Sequence, residues 1–238
     1  MQATEKRVEV GEYTVNCATA GRGPSLVLLH GSDHREDWRV WEPLLALGDA
    51  YSLVIPDLVG YGRSSIPVET PDYRVQADTV KDLLERLSVV KTSLMGTSWG
   101  GQVALEFALK WPEAVEALVL VSSSYDKEQL GRLEKLRKPT LIIYAEDDMM
   151  TQLKAGYLLR DAIGTSRLEV LEPVARDPAR DFLISHKLER FRAPQVMQLV
   201  RLFLAKPAAM IAEPPEMEND LRGMALKKEK KEEGERPT

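Results

Sequence analysis

The sequence predicts an α/β fold, a mostly parallel twisted sheet with helices on both faces, and three observations carry that expectation. Short continuous apolar runs such as Ser25 to His30 and Tyr51 to Pro56 recur along the chain, and runs of this kind belong to strands covered on both faces. Segments with apolar residues at helical spacing alternate with them, the order expected of parallel strands joined by crossover helices. One run ends in Gly96-Thr97-Ser98-Trp99-Gly100-Gly101, where small residues suit a sharp turn from strand into helix.

Arg7 to Ala18 alternates polar and apolar residues around Gly11-Glu12 and reads as an antiparallel hairpin at a sheet edge. Gly21 to Pro24 turns the chain into the buried strand Ser25 to His30. Trp38, Trp41, Leu44 and Leu45 then fall at helical spacing before the strand Tyr51 to Pro56. After the loop 57–64, Val80, Leu83, Leu84 and Leu87 mark one face of a helix over 75–87. A connector and strand follow to Met95, and Gln102 to Trp111 is helical. Glu116 to Val121 and Pro139 to Tyr144 are further buried strands, with a short helix over 128–136 between them. Leu153 to Ile163 is helical, Arg167 to Leu171 is the last strand, and Pro194 to Leu204 is an amphipathic closing helix.

The domain is expected over 1–212, with a tail over 213–238. The 238 residues are 44% hydrophobic and 29% charged, enough for one large core. From Glu213 the composition becomes proline-bounded and densely charged, so the tail is expected to stay disordered and solvated. A tether or docking helix over 216–231, holding a protein partner, is the alternative, and the sequence offers it no support. A net charge of −5 argues against nucleic-acid binding as the main activity, which would need clustered Lys and Arg. Cys17 is the only cysteine, so there is no intrachain disulfide and no cysteine-based metal site. That usage suits a reducing compartment, and a cytoplasmic location is expected. The N-terminus lacks an apolar core of signal-peptide length, and no run approaches a membrane span.

Chemistry concentrates at Ser98. A serine on a strand-to-helix turn is strained, and it tolerates only small neighbours because the flanking backbones come close. Gly96 and Gly100 meet that need. The helix that follows aims its free N–H groups and positive dipole end at the point where an oxyanion forms in acyl transfer.

Four stretches together resemble the α/β-hydrolase superfamily: LVLLHG at 26–31, IPDLVGYGRSS at 55–65, GTSWGG at 96–101 and PTLIIYAEDD at 139–148. The likeness covers 7–204. It implies Ser98 as nucleophile, an acid after the strand ending near Tyr144, and a histidine after the last strand. The acid maps onto Asp148, with Asp147 as the fallback, and Asp57 is implied to be a turn scaffold. The oxyanion hole maps onto the backbone N–H groups of Ser32 and Trp99, with His30 bracing the loop. Where relatives carry Gly-His, this chain reads Val174-Ala175-Arg176-Asp177-Pro178. Either Arg176 has replaced the base, or a longer loop supplies it as His186, which is preferred as the only histidine after Asp148.

The cap that many relatives insert before Pro139 is missing, leaving Tyr125 to Lys138, so a shallow open pocket is expected. The implied activity is a serine hydrolase acting through an acyl-enzyme on a small or medium carboxylic ester, with no metal or organic cofactor. Serine in place of aspartate argues against dehalogenase or epoxide-hydrolase chemistry. Acyl transfer to peroxide or another acceptor by the same triad is one alternative. A non-catalytic interaction protein of the same fold is the other.

Overall fold

The computed structural model describes residues 1–33, 36–146, 153–172 and 193–212. The hairpin β1 (Thr4–Val10) and β2 (Tyr13–Ala20) turns at Gly11, whose φ of 57° suits a residue without a Cβ. Exposed Lys6, Arg7 and Glu9 keep this outer strand from pairing with another chain. Then follow β3 (Ser25–Leu29), β4 (Ser52–Pro56), β5 (Thr92–Thr97), β6 (Val115–Val121), β7 (Thr140–Ala145) and β8 (Ser166–Leu171). They form an eight-stranded sheet of order β1-β2-β4-β3-β5-β6-β7-β8. The β1–β2 and β2–β4 pairs are antiparallel, and the other five are parallel.

Both faces are covered, which is why the strands read as unbroken apolar runs. Leu118 and Leu120 of β6 point to the face packed by α1 (Tyr73–Arg86), α2 (Trp99–Lys110) and α4 (Leu153–Ala162). Val119 and Val121 point to the opposite face, packed by the segment Trp38–Asp49 and by α5 (Ala193–Ala205). Each fully buried Leu or Val on these faces contributes about 1.5–3 kcal/mol, so a one-residue slip of any central strand is strongly disfavoured.

Two connections differ from the helices their spacing suggests. Trp38–Asp49 winds as 3-10 helix, with Pro43 inside it lacking the amide that an α-helical ladder requires. The stretch 128–136 splits into a single turn, α3 (Lys127–Leu130), capped by the Asp126 carboxylate on the Gln129 amide at 2.7 Å, and a 3-10 turn, Leu133–Lys135. Between them Arg132 forks onto Glu106 of α2, at 3.0 Å from Nη1 to Oε2 and 3.3 Å from Nη2 to Oε1. Glu106 is 1% exposed and needs such a partner.

The Gln129 side-chain amide also donates to the Gln102 carbonyl at 2.9 Å, and Leu133 and Leu136 are buried in the same core. The β6–β7 connection thus lies along α2, and no cap domain is built from it. The last described element is α6 (Pro207–Ala212), where Arg167 of β8 donates to the Met210 carbonyl. The expected tail, 213–238, lies outside the described residues. No helix among the described residues is long and apolar enough to cross a membrane.

Candidate active site

Ser98 sits between β5 and α2 with φ 51° and ψ −119°, a left-handed backbone that serine rarely adopts. Strain of this kind persists only where the surroundings over-determine it. Here the Ser98 amide donates to the Val121 carbonyl at 3.0 Å, and its carbonyl accepts from Gly101 at 3.1 Å and Ser124 at 2.9 Å. The glycines beside it permit the turn to close. A Cβ on Gly96 would lie 2.3 Å from the Gly100 carbonyl oxygen, and one on Gly100 would lie 2.2 Å from that of Leu29. The turn therefore seats α2 directly on the end of β3. The half-buried Ser98 side chain makes no capping hydrogen bond, which leaves its hydroxyl available for chemistry.

Ser32 lies on the loop after β3, the strand that pairs with β5 through Leu29 and Gly96. No hydrogen bond from the Ser32 amide to a described residue is present. As the first helical residue, Trp99 has no intrahelical acceptor for its own amide. Among the described residues neither amide has an acceptor, and donors of this kind are what an oxyanion hole draws on. The structure thus brings Ser98, Trp99 and the Ser32 loop to one edge of the sheet.

His30 is fully buried, and both of its ring nitrogens are engaged. Nδ1 lies 2.8 Å from the Gly31 carbonyl and must donate, while Nε2 accepts from the Leu58 amide at 2.9 Å. It is a brace, as its sequence position suggests. Burial pushes its pKa below the ordinary histidine value, partly offset by the Gly31 carbonyl and by Asp57 and Asp37. In the window from about pH 6.5 down to its folded pKa, the unfolded chain binds a proton that the folded chain does not. Stability is therefore lost as pH falls through that window. Urea unfolding at pH 7.5 and pH 5 should show this loss in the wild type and a smaller one in His30→Gln. Identical losses would contradict the locked neutral tautomer.

Asp57 is likewise structural. Its buried carboxylate accepts from the Trp38 amide at 2.8 Å, and from the Asn16 side-chain amide and the Arg63 amide at 2.9 Å each. Cys17 is no rival nucleophile, since burial pushes its thiol up to about 12.

The expected acid, Asp148, its fallback Asp147, the expected base His186 and the competing Arg176 all lie outside the described residues, as does His34. The strands that lead to the acid and base candidates, β7 and β8, end at Ala145 and Leu171. Their carboxyl ends share the sheet edge of Ser98, because β5 to β8 are mutually parallel.

Three supporting features escaped sequence reasoning. The Tyr144 hydroxyl donates to the Ser123 carbonyl at 2.6 Å and fixes the turn that receives the Ser98 carbonyl. Ser122 also has a left-handed φ, 43°. Tyr61, in the loop after β4, packs against both His30 and Trp99. Only Tyr61 carried a local signal, its place between Gly60 and Gly62.

A family model described as alpha/beta hydrolase fold matches residues 24–136, a span that holds Ser98 but ends before Asp148 and His186. A fluoroacetate dehalogenase from Burkholderia sp. is 38% identical over 120 residues, covering 48% of this chain and 39% of that protein. A soluble epoxide hydrolase from Corynebacterium sp. is 34% identical over 121 residues, covering 50% and 42%. The match thus spans less than half the length of these curated relatives. Among solved structures, a serine hydrolase from the polyaromatic-hydrocarbon-degrading bacterium Cycloclasticus zankles superposes with a TM-score of 0.73 at 17% identity, over 86% of this chain and 98% of that one. At that identity the likeness concerns the fold.

Proposed function

Because this chain belongs to the α/β-hydrolase superfamily, we propose that it is a serine hydrolase that cleaves a small or medium carboxylic ester through an acyl-enzyme. The observation that carries this reading is the backbone of Ser98, held left-handed by three hydrogen bonds at the N-terminus of α2. Ser98 Oγ attacks the ester carbonyl while His186 takes its proton and Asp148 holds the imidazole in the right tautomer. The negative charge that develops on the carbonyl oxygen is met by the Ser32 and Trp99 amides and the helix dipole. The alcohol leaves with the proton from His186, and water, activated by the same histidine, releases the acid.

The serine separates this chemistry from that of the relatives named as dehalogenase and epoxide hydrolase, since in this superfamily those reactions rely on an aspartate nucleophile. The β6–β7 connection is short and packs Gln129, Leu133 and Leu136 beside α2, so it inserts no cap helices of its own. The expected partner is accordingly a small-molecule acyl substrate of modest length.

p-Nitrophenyl esters of increasing acyl length test the proposal. Saturable hydrolysis, best with short or medium chains and preceded by a burst equal to the enzyme concentration, is expected. Release no faster than the uncatalysed reaction across the whole panel would overturn it.

A further inference from the structure

An oxyanion hole built from Ser32 and Trp99 takes its donors from two elements, the loop after β3 and the start of α2. A donor displaced by more than about 0.5 Å loses much of its effect. The β3–β5 pairing and the seating of α2 on β3 set the coarse frame, and a side chain touching both donor segments would fix the remainder.

We infer that Tyr61 is the positioning residue that does so. Its hydroxyl donates to the Ser32 carbonyl at 3.4 Å, and its ring lies 5.9 Å from Trp99 and 5.2 Å, edge-on, from His30. The inference rests on the serine-hydrolase reading and adds a residue to it.

The loop after β4 is built to aim this ring. Gly60 and Gly62 flank Tyr61 with φ of 96° and 52°, and a Cβ on Gly62 would lie 2.3 Å from Asp57 Oδ2. The Tyr61 amide donates to the Leu58 carbonyl at 3.0 Å, while the Leu58 amide donates to His30 Nε2. A closed circuit results, running from His30 through Leu58 to Tyr61, and from Tyr61 back to Ser32 and across to Trp99. Tyr61 is 9% exposed, so the ring has little freedom to leave it. Burial, with Glu36 and Asp33 nearby, raises its pKa, which keeps the hydroxyl a donor.

At 3.4 Å the hydroxyl is a weak tether, and the ring packing is the larger part of the clamp. Tyr61→Phe, which keeps the ring, is expected to lower kcat only about threefold with KM within about twofold, because the oxyanion forms only in the transition state. Tyr61→Ala is expected to lower it about a hundredfold or more. Rates are taken per active site titrated with a fluorophosphonate, so misfolded protein does not count. A boronic acid that mimics the tetrahedral intermediate should weaken by the same factor as kcat/KM, whereas the product carboxylate should not. If Tyr61→Ala matches the wild type in kcat per titrated site and in boronate affinity, the role of Tyr61 is overturned while the hydrolase stands. An inert, unlabelled wild type would overturn the serine-hydrolase reading, and the oxyanion role of Tyr61 with it.

Discussion

Ser98→Ala loses ester hydrolysis by about 10³-fold or more in kcat while its unfolding temperature stays near that of the wild type. The two halves of this expectation have separate causes. Alanine carries the same Cβ as serine, so the left-handed turn at φ 51° is no more strained than before. The hydroxyl makes no capping bond, and its removal orphans no described partner. What disappears is the attacking oxygen. Steady-state rates on p-nitrophenyl acetate, together with thermal unfolding, check both halves, and near wild-type turnover would refute the nucleophile.

The base carries an effect of similar size. His186→Ala should remove most of the activity and, with it, the acid limb of kcat/KM, which the wild type shows at about pH 6–7 because the imidazole must be neutral to take the proton. Arginine cannot fill that role, since its pKa lies far above working pH. Arg176→Ala should therefore shift KM or selectivity and leave the limb in place. Asp148→Asn should cost up to about 10⁴ in kcat by leaving His186 in the wrong tautomer, and Asp147→Asn much less. A reversed order reassigns the acid, and an acid limb that survives in His186→Ala removes that residue from the mechanism. His30 is no substitute base, because both of its nitrogens are committed to Gly31 and Leu58.

The sheet was legible because the inner parallel strands, β3 to β7, are buried on both faces, so that Leu118 to Val121 reads as one apolar run split between two cores. The elbow was legible for a different reason. Gly96 and Gly100 are sites where a Cβ meets backbone carbonyls at 2.2–2.3 Å, a demand that only one residue type satisfies. The split of 128–136 was hidden because it depends on Arg132 reaching a buried carboxylate on α2, a contact between residues 26 positions apart. The part played by Tyr61 was hidden likewise, since its partners Ser32 and Trp99 lie on other elements and helical or strand periodicity says nothing about loop tips.

Fluorophosphonate labelling followed by peptide mass spectrometry tests the serine nucleophile most directly, because the reagent needs an activated hydroxyl and not merely an exposed one. A single adduct per chain on the peptide carrying Ser98, prevented by prior incubation with an ester substrate and absent from Ser98→Ala, is the expected result. A folded wild-type chain that stays unlabelled, or one labelled on another residue, would contradict it.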